Sequence, residues 1–96
     1  MRLVEPTDFE VLAFLESHGR NNAINISTGL DRDRSYVNTR LRALEDLGLV
    51  ERVGPATNSG LYELSARGRA ALSVRDRYRE AGTDFEALVE ATLADE

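Results

Sequence analysis

The feature that most restricts this chain is a change of apolar period at Gly48. Upstream of it, Val37, Leu41 and Leu44 recur at four- and three-residue spacing, which is the period of a helix with one buried face. Downstream, "LVERV" and "LYEL" are short strand-like runs on either side of "GPATNSG", whose Gly, Pro, Asn and Ser suit a hairpin tip. A helix that stops at a glycine and passes straight into a hairpin leaves few small folds open.

Two helices are predicted before this unit. "TDFE" occurs at residues 7–10 and 83–86, each copy opening an apolar-periodic run, and both have the form of a capping box with Thr7 or Thr83 as cap and Glu10 or Glu86 reaching back. The first helix should run from Asp8 to about Ser17, bury Phe9, Val11, Leu12 and Leu15, and end at Gly19 as a left-handed cap. A short second helix is expected within residues 20–29, capped by Asn22, with apolar contact from Ile24 and Ile26 and a break at Gly29. Asp31 or Asp33 then caps a helix over residues 33–47.

After the hairpin, Ser65 should cap a long helix, "ARGRAALSVRDRYREA", ending near Gly82. A last helix from Asp84 to about Ala94 places Phe85, Leu88, Val89 and Leu93 at helical spacing. The expected fold class is mainly α with a small β-hairpin: a three-helix core and a two-stranded wing over residues 1–72, then C-terminal helices over residues 73–96.

Composition removes several classes of function. Ninety-six residues make one modest core. There is no cysteine and one histidine, so thiolate metal sites and imidazole clusters are excluded and no cofactor is expected. No nucleophile adjoins a base and no glycine-rich phosphate loop is present, so an enzyme is not expected. No apolar run approaches a membrane span, and "MRLVEPTDFE" lacks the apolar core of a signal peptide, which points to the cytoplasm. His18, beside Gly19, reads as a hydrogen bond to a terminal carbonyl, and Asp31 and Asp33 read as caps or ion pairs.

All basic charge is carried by arginine, lysine being absent, and the net charge is −5 with a pI near 4.9. Such a balance is expected of a proteome adapted to molar salt, although a GC-rich genome also favours arginine. The acid is segregated. Residues 76–96 carry seven carboxylates against Arg77 and Arg79, whereas residues 31–52 are neutral, with five arginines and five acids.

Within that neutral stretch the helix opposite Val37, Leu41 and Leu44 presents Ser35, Asn38, Thr39 and Arg42, with Tyr36 on one flank and Arg34 and Arg40 near the boundaries. Arginine suits guanine's O6 and N7, asparagine suits adenine, and small hydroxyls suit phosphates and thymine methyls. The local potential within about 8 Å, the Debye length, governs phosphate contact, so a remote acidic tail weakens binding without abolishing it.

"RSYVNTRLRALEDLGLVERVG…GLYELSARGRAAL" resembles the winged helix-turn-helix transcription regulators, most closely the MarR-like and phage-repressor-like versions common in salt-loving archaea. The match rests on the Val37/Leu41/Leu44 stripe, Leu47 to Val50, Gly60 to Leu64 and Ser65 to Gly68, and covers roughly residues 8 to 72. The resemblance implies a sequence-specific regulator of double-stranded DNA, a repressor that occludes or marks a promoter. Its implied contacts are Arg34, Ser35, Tyr36, Asn38, Thr39 and Arg42, with Arg52, Asn58 and Ser59 on the wing, and Arg40 is taken with them.

In this assignment helix 33–47 enters the major groove, and the wing 53–61 lies along the backbone or minor groove. The alternative is a winged-helix docking module of the transcription machinery that does not touch DNA. A homodimer is expected through the apolar positions Leu72, Val74, Tyr78, Phe85, Leu88 and Val89. Nothing in the sequence identifies a small-molecule effector.

Overall fold

The computed structural model of the chain describes residues 1–56 and 58–95. Thr57, assigned above to the hairpin tip, lies outside the described residues. The elements in chain order are α1 (Thr7–His18), β1 (Asn21–Asn22), α2 (Ala23–Leu30), α3 (Arg34–Asp46), β2 (Val50–Arg52), β3 (Leu61–Leu64), α4 (Ala66–Ser73), a 3-10 turn at Arg75–Arg77, and α5 (Phe85–Ala94). The fold is mainly helical with a small wing, as the change of period predicts.

Helices α1, α2 and α3 close around Val11, Leu12, Leu15, Ile26, Val37, Leu41 and Leu44, all buried, and Leu49 and Val50 extend this core into the wing. Strands β2 and β3 pair antiparallel with Val50 opposite Leu64 and Arg52 opposite Tyr62. A third strand was not foreseen: Asn21 and Asn22 pair with Tyr62 and Leu61, giving the order β1-β3-β2. Two asparagines carry no strand propensity, so only tertiary pairing makes this edge.

Neither "TDFE" is used as a capping box. Helix α1 starts at Thr7 behind Pro6 with no side-chain cap, Thr7 is buried, and Asp8 instead accepts a hydrogen bond from the Val4 amide at 2.7 Å. At α5 the cap is Asp84, which accepts from the Ala87 amide at 3.1 Å. The glutamates are taken by cations, Glu10 by Arg32 and Glu86 by the Met1 amino group at 3.2 Å. A charge-assisted pair outcompetes a back-reach to a neutral amide.

Gly29 does not break α2, which runs through it to Leu30 and ends at Asp31, in the left-handed region at φ 54°. The glycine packs against an aromatic ring, since a Cβ would lie 2.4 Å from Cε2 of Phe14 and would push that ring aside. The long helix expected after Ser65 stops at Ser73. The chain then turns so that the Tyr78 hydroxyl accepts from the Leu3 amide at 2.8 Å and donates to the Leu3 carbonyl at 3.1 Å. Its ring stands edge-on to Phe9 and Phe85, contacts that replace turns of exposed helix.

Helix α5 folds back onto the domain. Phe85 and Val89 are buried in the common core with Leu72, and Val74, Tyr78 and Leu88 are half-buried. The apolar stripe assigned above to a partner subunit is thus largely spent within the chain. No helix among the described residues is long and apolar enough to cross a membrane.

Candidate nucleic-acid interface

Helix α3 is capped by Asp33, which accepts from the Tyr36 amide at 3.0 Å, and it is followed by Leu47 and then Gly48 at φ 76°. Val37, Leu41 and Leu44 have no exposed surface. Arg34, Ser35, Tyr36, Thr39 and Arg42 are exposed and Asn38 is half-buried, so the inward and outward faces follow the helical period.

The two flanks of α3 do different work. On the wing side, Glu45 accepts from Arg52 Nε at 3.0 Å. Arg52 also lies 5.9 Å from the centre of the Tyr62 ring, and the hydrogen bond to Glu45 pushes its pKa above the ordinary arginine value. This side chain, expected on DNA, is therefore part of the joint between α3 and the wing. A groove of about 270 Å³ lies between the start of α2, the outer side of α3 and the wing, and Arg34, Asn38 and Ser59 line it together.

On the opposite flank Arg40 points to α1. Its Nε and Nη2 each lie 2.8 Å from one oxygen of Asp8, whose own exposure is 0%. The hydrogen bonds to Asp8 raise the pKa of Arg40, against the opposing effect of burial. The assignment of Arg40 to the reading face is corrected by this geometry: it joins α3 to α1, with its planar fork matched to a carboxylate. Tyr36 stands on the same flank, four residues earlier, with 38% of its surface exposed.

The other predicted residues are more modestly placed. Thr39 donates its hydroxyl to the Ser35 carbonyl at 3.1 Å and keeps its acceptor lone pairs. Ser59 donates to the Val53 carbonyl and so closes the wing loop, while Asn58 is exposed in the adjacent turn. His18 Nδ1 lies 3.2 Å from the Phe14 carbonyl, and its ring stacks on Phe14 at 4.1 Å. Among the described residues no group of three or more His, Cys, Asp or Glu is placed to hold a metal ion.

Sorting the arginines of residues 31–52 by partner gives the electrostatic pattern of the face. Arg32 pairs with Glu10, Arg40 with Asp8 and Arg52 with Glu45. Arg34 and Arg42 make no ion pair among the described residues. Both lie on the exposed side of α3, with the exposed Asp46 one turn beyond Arg42.

One residue of this region was missed. Ile24, expected with Ile26 to offer apolar contact, is 48% exposed at the edge of the groove, whereas Ile26 is fully buried. The signal was available, since two helical residues two positions apart point about 200° apart and cannot share a face.

A family model described as "Winged helix-turn-helix DNA-binding" matches residues 4–51. Among solved structures, the oxidised form of MarR from E. coli is 28% identical with a TM-score of 0.62, and the match covers 97% of this chain and 67% of that one. The reduced form of the same protein gives 27% identity and a TM-score of 0.61, with 97% and 69% covered. No curated protein matches the chain.

Proposed function

The chain belongs to the winged helix-turn-helix DNA-binding family, and from that premise we propose that it is a transcription repressor that reads the major groove of double-stranded DNA with the outward face of α3. Arg34 and Arg42 bind guanine O6 and N7 or phosphates, Asn38 binds adenine, and Ser35 and Thr39 bind phosphates or the edges of thymines. Tyr36 packs at the margin, and Asn58 and Ser59 bring the wing tip against the adjacent backbone or minor groove. The N-terminal half of α3 enters the groove, because Glu45 and Asp46 crowd its other end and would be repelled by phosphates.

The observation that carries this reading is the selective pairing of the arginines. Three of the five in this stretch are neutralised inside the protein, and the two left unpaired among the described residues flank Asn38 on one exposed helical face. A solvated helix with no partner has no need of that arrangement.

A homodimer is part of the proposal, because two copies related by a two-fold axis would present α3 to half-sites about 34 Å apart. With Phe85 and Val89 turned inward, the surface that residues 73–96 leave for it is the outer side of α5, where Ala87 and Ala91 are exposed and Leu88 and Leu93 half-buried.

The test is a titration of a duplex selected from a random pool. Arg42→Ala and Asn38→Ala should each weaken binding by about 1 to 3 kcal/mol, the worth of a base-contacting side chain. If Arg42 touches a phosphate, its replacement should also lower the slope of log affinity against log salt by about one. Absence of duplex binding by the wild-type protein in dilute salt, with a protein partner captured through the same face, would replace this reading by the docking module.

A further inference from the structure

We propose that Ile24 reads a thymine 5-methyl group from the start of α2, so that base recognition is shared between two helices. The inference rests on the reading of α3 as the major-groove helix. Of the described residues, Ile24 and Tyr36 are the large hydrophobic side chains left exposed, and both border the outward face of α3. Ile24 lines the same groove as Arg34 and Asn38. The exposed half of this branched aliphatic side chain gains nothing in the free protein, but it gains by contact with an apolar group of a ligand.

In a DNA major groove the thymine methyl is the one such group that a base edge offers. Charge selects the same ligand. Arg34 lines the groove and has no ion pair among the described residues, which favours a polyanion over an apolar peptide. Asn38 adds the amide that pairs with adenine, and an A·T pair presents that adenine edge and a methyl side by side in the groove. The neighbours of Ile24 in the groove wall, Asn22, Ala23 and Gly60, offer no apolar group larger than the Ala23 methyl.

The experiment replaces each thymine of the selected duplex, one at a time, by deoxyuridine, which removes only the 5-methyl. Wild-type protein should bind about fourfold more weakly at one position in each half-site, the effect of exposing one methyl-sized group. Ile24→Ala should bind the parent duplex about as weakly as wild type binds that deoxyuridine duplex, and should lose nothing further on the replacement. Because Ile24 is exposed, the variant should unfold at the wild-type temperature. Equal losses for both proteins at every position, or no loss for either, overturn the role of Ile24 while leaving α3 as the reader. Failure of wild type to bind any duplex overturns both.

Discussion

Arg40→Met is expected to cost about 3 to 5 kcal/mol of folding stability, since removing one member of a buried ion pair strands the other. The Asp8 carboxylate has 0% exposure and would keep only the Val4 amide, at 2.7 Å, in place of the two bonds from Arg40. In urea the midpoint should fall by about 2 M at an unchanged slope. Arg42→Met, two residues along the same helix, should change stability by no more than about 0.5 kcal/mol, because its side chain is exposed and without an ion pair among the described residues.

The contrast between these two variants separates the arginine that joins α3 to α1 from the one without an ion pair among the described residues. Adding Asp8→Leu to Arg40→Met should recover part of the loss, because an apolar pair needs no compensating charge, although the Val4 amide then loses its acceptor. If Arg40→Met were as stable as wild type, the Asp8 pair would not fix α3 against α1.

Gly68→Ala should be the second severe change, costing about 3 kcal/mol and lowering the melting temperature by roughly 15 °C. A Cβ at this position would sit 2.0 Å from the Leu49 carbonyl oxygen and 2.7 Å from Leu64 Cδ1. The oxygen has nowhere to go. It accepts from the Ser65 amide at 3.1 Å, and Ser65 also donates to the Gly48 carbonyl at 2.6 Å, so the first turn of α4 is fastened to the start of the wing. The helix-propensity gain of alanine over glycine, about 1 kcal/mol, does not offset such an overlap. Calorimetry showing a melting temperature within about 3 °C of wild type would mean that α4 can move off β2 freely.

How much of this was legible in the sequence follows the range of the forces involved. Val37, Leu41 and Leu44 face inward, Asn22 and Ser65 cap their helices, and the wing strands begin and end near the expected places, because each rests on period or on a cap within four residues. What failed depends on residues distant in the chain. Arg40 looked like its neighbours until Asp8, thirty-two positions away, claimed it. Gly29 looked like a helix breaker, but it lies inside α2 against the Phe14 ring. Tyr78 ended a helix by bonding to Leu3, and no local pattern contains that contact. The exposed face of α3 was legible because one helical period defines it, while the sorting of its arginines into paired and unpaired needed the fold.

If the protein is the proposed regulator, the unpaired side of α3 contacts base edges. Selection of bound sequences from random duplex DNA, run in parallel with wild type, Asn38→Ala and Arg42→Ala at low and high potassium chloride, addresses it most directly. Wild type should enrich a symmetric site, with preference lost at an adenine in the Asn38→Ala pool and at a guanine in the Arg42→Ala pool. Identical enriched sites for all three proteins, or no enrichment at about 50 mM salt, where phosphate attraction is strong, would contradict it.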